Sequence, residues 1–174
     1  MRITQTKLEG LYLIEPELHE DERGYFARTF CLEELQKRGL KFEIVQVSMS
    51  FNKRAGTIRG MHFQKPPKEE GKIVQCLKGA IFDVAIDLRA SSPTFCRWHG
   101  EELTEKNGKM LLVPKGYAHG FQTLANNTKV QYFMSEFYFP SHSFGVRWND
   151  PKFCIKWPME PTAISEKDKG WPYL

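Results

Sequence analysis

The sequence predicts an all-β protein: a single jelly-roll barrel spanning residues 1–174, with short helical turns near the termini. Three observations predict it. Between Phe42 and Phe139 the chain is a succession of short alternating or β-branched runs; these are separated by residues suited to tight turns; and helical periodicity is almost absent. In order, the runs are Phe42–Phe51, Thr57–Gln64, Lys72–Leu77, Ala80–Leu88, Arg97–Leu103, Lys109–Val113, Gly120–Leu124 and Lys129–Phe139. Lys78-Gly79, Asn107-Gly108 and Asn126-Asn127 divide neighbouring runs and supply residues that tolerate positive φ, as hairpin turns require. Eight such strands are the number of a jelly roll. Before them only Leu32–Lys37 reads as helix, and after them Pro151, Pro158, Pro161 and Pro172 predict an irregular tail made of single turns.

A chain of 174 residues is long enough to bury one core and short for two domains. Its hydrophobic content of 41% and charged content of 26% suit a folded globular domain, and no stretch approaches the ~20 apolar residues of a membrane span. The amino terminus, MRITQTKLEG, has no apolar segment followed by a small-residue cleavage site, so the expected location is the cytoplasm. Cys31, Cys76, Cys96 and Cys154 are scattered, without a Cys-x-x-Cys pair, and are expected to be free thiols. The net charge of +4 is mild and its lysines and arginines are interspersed with acids, which argues against nucleic-acid binding; a few arginines focused in a cleft would still attract a small anionic ligand.

In Ala80–Leu88, Phe82, Val84, Ile86 and Leu88 share one face, and Ile81, Asp83, Ala85 and Asp87 share the other. A ligand-holding barrel interior produces such a half-polar face, and a surface sheet produces it more commonly. In Thr57–Gln64, alternation groups Gly60, His62 and Gln64 with Ile58, and places Arg59, Met61 and Phe63 opposite. His62 and Arg59 can therefore face one pocket only through a twist or a bulge, and Gly60 is the place for it. A lone strand histidine is ordinarily structural, but a second, His119, stands in a turn-rich segment near Gly116 and Gly120. Lys72 and Tyr132 also fall within strands, where lysine normally snorkels outward and tyrosine packs. Together with His62 and Asp83 they would supply a base, an acid, a cation and an orienting carboxylate, the set needed to move protons beside a carbonyl.

The spacings Gly-x5-His-x-Gln, from Gly56 to Gln64, and Pro-x-Gly-x-x-His, from Pro114 to His119, resemble the two-part signature of the cupin barrel. Gln64 stands where metal-binding cupins carry a second histidine, which points toward acid–base chemistry. More specifically, DERGYFARTF, GTIRGMHFQ, GKIVQCLKGAIFDVAIDLRASSPTF, LLVPKGYAHGFQTL, VQYFMSEFYFP, GVRWNDP and ISEKD occur in the order found in the nucleotide-diphosphate 4-keto-6-deoxysugar 3,5-epimerases, and the chain resembles that family from end to end. The resemblance implies a homodimeric cupin jelly roll that needs no cofactor and holds no metal. It implies that His62 is the catalytic base and Asp168 its paired carboxylate. By the same resemblance Lys72 sits beside the C4 oxygen and Tyr132 is the proton donor on the opposite sugar face, while His119 and Asp83 support the pocket. Arg23, Phe26 and Arg59 match the diphosphate and base-stacking positions, and Gln46 and Tyr138 are expected to join them.

The chain departs from the family pattern in three places. Arg28 stands where the prototype has a carboxylate; its Q-x-N is Gln46-Val47-Ser48 here, with a turn before His62 that is one residue longer; and Phe144 stands where the E-R-G turn usually has its arginine. The residues near the nucleotide base therefore leave thymidine, cytidine, guanosine and uridine diphosphate sugars open, and Arg28 is carried as a base-contacting candidate. Whether C3, C5 or both are inverted is equally open, and the product would feed deoxysugar synthesis for a surface polysaccharide or a glycosylated metabolite. The alternatives are a 3,4-ketoisomerase on the same scaffold, a metal-dependent cupin using His62, Gln64, Glu69 and His119, and a non-catalytic nucleotide-sugar binding module. Retention of both His62 and Tyr132 favours epimerisation; glutamine is a poor partner to histidine for transition metals; and a binding module has no need of His62, Tyr132 and Asp168 together.

Overall fold

The computed structural model describes residues 1–174. In chain order its elements are β1 (Arg2–Gln5), β2 (Tyr12–Glu15), β3 (Leu18–Asp21), β4 (Gly24–Ala27), α1 (Leu32–Gln36), β5 (Gln46–Asn52), β6 (Thr57–Gln64), β7 (Lys72–Lys78), β8 (Ala80–Asp87), β9 (Trp98–Thr104), β10 (Met110–Val113), β11 (Tyr117–Thr123), β12 (Thr128–Met134), β13 (Ser143–Gly145), β14 (Ala163–Ile164) and α2 (Glu166–Lys169). One sheet has the order β1-β2-β10-β7-β12-β5 and the other β13-β6-β11-β8-β9, with β14 running parallel to the start of β6. The β3–β4 hairpin belongs to neither. The result is the all-β jelly roll that the alternating runs predict.

Burial of apolar side chains in three layers holds this arrangement together. Between the two sheets lies a cluster that includes Val74, Ile81, Ala85, Leu103, Phe121 and Val130. Outside the first sheet, Ile73, Met110 and Leu112 pack under Leu35 of α1 and Phe42. Outside the second, Met61, Val84, Ile86 and Ala118 are covered by Val146 and Phe153 of the tail. A strand covered on both sides cannot alternate cleanly between apolar and polar residues, which is why β8, β10 and β11 are almost wholly buried.

Several sequence expectations are corrected. Four short strands, β1 to β4, lie in a region read as having none, because four-residue strands offer no run long enough to show a period. The run at Phe42–Phe51 is strand only from Gln46; Phe42 is drawn into the outer cluster instead. The run expected at Gly120–Leu124 is β11, Tyr117–Thr123, so His119 lies mid-strand rather than in a turn. Gly116, at φ +83°, makes the turn, whereas Gly120 is glycine because a Cβ there would lie 2.7 Å from the Arg59 carbonyl oxygen. The half-polar face of β8 is the barrel interior, not a surface: Ile81 and Ala85 belong to the central cluster and Asp83 and Asp87 are fully buried.

Asp87 shows how an interior carboxylate is held. It accepts from Arg89 Nε at 2.9 Å, Thr94 Oγ1 at 2.6 Å and Tyr117 Oη at 3.2 Å, and from Ser92. Burial alone would raise its pKa, but the hydrogen bonds from Arg89, Ser92 and Thr94 outweigh it and hold the carboxyl well below the usual range. Tyr117 Oη and Arg89 also bond the Glu9 carbonyl, at 2.9 and 2.8 Å, tying the amino-terminal segment to the barrel.

Candidate active site

One cavity of about 1010 Å³ opens between the two sheets, lined by residues of β5, β6, β7, β11 and β12 and by the 161–169 segment. Its walls follow from strand parity. On β5, Gln46, Ser48 and Ser50 line the cavity, while Val47, Met49 and Phe51 are exposed on the other side. The ordinary pattern is inverted: polar residues face in and apolar ones face out.

The bulge expected at Gly60 places the histidine. His119 of β11 pairs with His62, and Phe121 pairs with Arg59, so three steps on β6 oppose two on β11. The extra residue changes parity and turns Arg59 and His62 toward the same cavity. Gly60 has φ +140°, and a Cβ on it would lie 2.6 Å from the Cα of Gly120, so neither the angle nor the space admits another residue. On the open edge of β6, between β14 and β13, α2 delivers Asp168. Ser165 caps this helix, its Oγ accepting from the Asp168 backbone N–H at 3.1 Å.

His62 Nε2 and Asp168 Oδ1 are 2.6 Å apart. Asp168 also accepts from Gly60 N–H at 3.3 Å and from Trp171 Nε1 at 3.2 Å. Burial raises the Asp168 pKa, yet the hydrogen bond and charge of His62, helped by Gly60 and Trp171, carry it below the ordinary value. An ionised Asp168 accepts the Nε2 proton and leaves Nδ1 as the nitrogen with the lone pair.

Tyr132 projects from β12 in the facing sheet, with its hydroxyl 2.9 Å from Ser50 Oγ. Burial pushes its phenol pKa up and keeps the proton in place. Lys72 does not snorkel: it is buried and its Nζ lies 2.7 Å from Glu70 Oε1, inside the cavity wall. His119 Nε2 is 2.7 Å from Asp83 Oδ1, both buried, which makes a second histidine–carboxylate pair beside the first.

Thus His62, Asp168, Lys72, Tyr132, Arg59, Gln46, His119 and Tyr138 line the cavity, and Asp83 stands immediately behind it. Arg23, Phe26 and Arg28 are not brought there within one chain. Arg23 pairs with Asp21 at the β3–β4 turn, Phe26 is 71% exposed on that hairpin, and Arg28 bonds Glu34 at 3.2 Å beside a small separate depression. Gln64 is committed to the backbone, donating to the Lys68 and Phe137 carbonyls and accepting from Phe139 N–H. No three His, Cys, Asp or Glu side chains gather into a metal-holding cluster, and all four cysteines are free. Sequence reasoning missed Glu70, Ser50 and Asn52. The last two carry a signal, the polar alternation Gln46, Ser48, Ser50, Asn52, which is visible once the apolar residues between them are taken as the outer face.

A profile of the dTDP-4-dehydrorhamnose 3,5-epimerase family matches residues 5–174. The enzyme of that name from Methanothermobacter thermautotrophicus is 43% identical over 176 residues, covering 99% of this chain and 94% of its own. The dTDP-4-dehydrorhamnose 3,5-epimerase of Bacillus anthracis, solved with TDP and PPi bound, superposes with a TM-score of 0.96 at 43% identity over 99% of each chain. The dTDP-6-deoxy-D-glucose-3,5-epimerase of Legionella pneumophila, in complex with dTDP-4-keto-L-rhamnose, gives 0.93 at 35% identity, over 99% of this chain and 92% of that one. With a profile spanning nearly the whole chain and relatives this similar over their full lengths, the chain belongs to the dTDP-4-dehydrorhamnose 3,5-epimerase family.

Proposed function

We propose that this protein epimerises a nucleotide-diphosphate 4-keto-6-deoxyhexose at C3, C5 or both, with dTDP-4-keto-6-deoxyglucose as the first substrate to try. The observation that carries the reading is the placement of a base and an acid on facing sheets: the His62–Asp168 pair on one wall of the cavity and the half-buried phenol of Tyr132 on the other. Inversion needs a proton removed from one face of the sugar and returned to the other.

The C4 ketone acidifies the hydrogens on C3 and C5. His62 takes one through Nδ1 while Asp168 balances the imidazolium, and the released electron pair moves into the C4 oxygen as an enolate. Lys72, held by Glu70, donates to that oxygen. Tyr132 then protonates the carbon from the other side. Arg59 at the rim presents a planar fork suited to a diphosphate, and Gln46 and Tyr138 border the same opening. His119 and Asp83 brace the floor.

We further propose that the active form is a homodimer. The outer face of β5 (Val47, Met49, Phe51) and the β3–β4 hairpin (Tyr25, Phe26) expose large apolar side chains that ordinarily need cover, and Arg23, Phe26 and Arg28 would reach a cavity only if a second copy supplied them. The family's dTDP-bound relatives favour thymidine as the base, with Arg28 and Ser48 as the positions that would alter the choice. Four free thiols suit a reducing cytoplasm, and no helix is long and apolar enough to cross a membrane.

The test is incubation in D2O with dTDP-4-keto-6-deoxyglucose and its CDP, GDP and UDP counterparts, following deuterium at C3 and C5 by NMR. Label at both carbons establishes a 3,5-epimerase and label at one a monoepimerase. Exchange that is absent, or that persists in His62→Asn, refutes the reading.

A further inference from the structure

The inward polar residues of β5 form a continuous hydrogen-bonded line that ends on Tyr132. Arg59 Nε donates to Asn52 Oδ1 at 2.7 Å. Asn52 Nδ2 donates to Ser50 Oγ at 3.4 Å, and Ser50 Oγ lies 2.9 Å from Tyr132 Oη. The sense of donation is determined by the outer partners. A guanidinium can only donate, so the amide oxygen must face Arg59, and the amide nitrogen is also 3.3 Å from the Thr128 carbonyl, which can only accept. Flipping the Asn52 amide would set donor against donor and acceptor against acceptor. Ser50 therefore receives a hydrogen bond from Asn52 and retains its own proton to offer onward.

We propose that Ser50 and Asn52 are positioning residues which carry the polarisation of Arg59 to Tyr132 and stabilise the phenolate that Tyr132 becomes when it protonates the substrate carbanion. This rests on Tyr132 being the acid of the epimerisation. The Tyr132 O–H bond breaks, its electron pair stays on the phenolic oxygen, and the proton forms the new C–H bond with the pair released from the enolate. Ser50 keeps its proton and turns it to the phenolate; Asn52 keeps its amide protons and supports Ser50; when product leaves, the His62 imidazolium gives its proton to solvent and solvent returns one to Tyr132, restoring both groups. Every donor in the line points toward the oxygen that gains negative charge, so each bond strengthens the next.

The need for such a line is plain from the surroundings. Tyr132 is half-buried against the central cluster, and the desolvation of its hydroxyl makes a phenolate costly; the hydrogen bond from Ser50 and the positive charge of Arg59 oppose that, while the negative charge of Asp83 adds to it. Asn52 is 2% exposed and lies deeper than Arg59, so water cannot substitute for it without entering the wall of the cavity.

The test compares kcat, KM and melting temperature of the full chain with dTDP-4-keto-6-deoxyglucose for Ser50→Ala, Ser50→Thr and Asn52→Asp. A hydrogen bond to a developing charge is worth about 10- to 100-fold in rate, so Ser50→Ala should lower kcat by that factor with KM and melting temperature nearly unchanged. Ser50→Thr, which keeps the hydroxyl, should recover most of it. Asn52→Asp should be as slow as Ser50→Ala, because a carboxylate would draw the Ser50 proton to itself and away from the phenolate. Replacing Tyr132 by a more acidic fluorotyrosine should rescue Ser50→Ala, which a merely structural role would not allow. Wild-type kcat in Ser50→Ala, or a loss that fluorotyrosine leaves untouched, overturns the relay. If that occurs while His62→Asn abolishes turnover, the epimerase reading stands without it; if His62→Asn is also indifferent, both fall.

Discussion

Replacing Asp168 by Asn keeps the shape of the side chain and removes its charge, so it isolates what the carboxylate does for His62. The two groups touch at 2.6 Å, with Asp168 buried and the His62 side chain 40% exposed. Unit charges centred about 4 Å apart attract by about 4 kcal/mol at an effective dielectric near 20. Solvent at the exposed side of the imidazole halves this, leaving about 2 kcal/mol of imidazolium stabilisation in the proton-abstraction step. At 1.36 kcal/mol per decade, that loss lowers kcat roughly 30-fold. KM should stay near the wild-type value, because Asp168 meets His62, Gly60 and Trp171. An amide oxygen facing His62 turns the amide nitrogen toward Gly60 N–H, and this donor–donor contact costs about 1 kcal/mol, or roughly 2–4 °C in melting temperature. The assay is deuterium incorporation from D2O at C3 and C5 beside steady-state turnover. A kcat within about threefold of wild type, or a rise in KM at constant kcat, would refute a charge-supporting role for Asp168.

Three further outcomes are expected. Gly60→Ala must adopt φ +140° and set a Cβ against the Gly120 backbone, so it should lose about 3 kcal/mol or more of stability, read from the midpoint of chemical denaturation. A midpoint equal to wild type would show that the bulge is not held by this contact. Asp87 has a folded pKa below its unfolded one, so its contribution is fully present above the usual carboxylate range and is lost as pH falls through and below it. Melting temperature should therefore drop on acidification, and Asp87→Asn should flatten the drop; parallel curves would exclude Asp87 as the source. Phe51→Glu places a charge on the exposed apolar face of β5; on the proposed homodimer it should yield monomers by light scattering and a reduced kcat/KM, as expected if Arg23 and Phe26 serve the second copy's cavity. A dimeric mass left unchanged by the substitution would place its interface elsewhere, and a monomeric mass in the unsubstituted protein would refute the homodimer.

The fold was legible because strands betray themselves through local chemistry. Gly79 and Gly108, at φ +80° and +59°, do end the runs where expected, but they carry the chain from one sheet to the other instead of closing hairpins, as does Asn126-Asn127 between β11 and β12. The four short amino-terminal strands were not legible, since each gains its stability from a neighbour rather than from its own period: β2 exists because β10 pairs with it. The alternation of Ala80–Leu88 showed which residues share a face; the side chains that cover each face, and so which one is inside, come from segments far away in sequence.

The sequence by itself determined the all-β class and the resemblance to the family, and through that resemblance it named His62, Asp168, Lys72 and Tyr132 as candidates, because motifs of this kind are carried by residue type in chain order. Only the tertiary structure decided how those residues meet. His62 and Asp168 are 106 positions apart and touch because a bulge turns one side chain and a capped helical turn delivers the other. Arg23 and Phe26, which match the family motif, and Arg28, which departs from it, lie away from the cavity within a single chain. Ser50 and Asn52 gain their place from a line of hydrogen bonds that runs across two sheets. Spacing along a chain constrains parity and turns, whereas contact between distant segments depends on the whole packing of the barrel, and no local pattern encodes it.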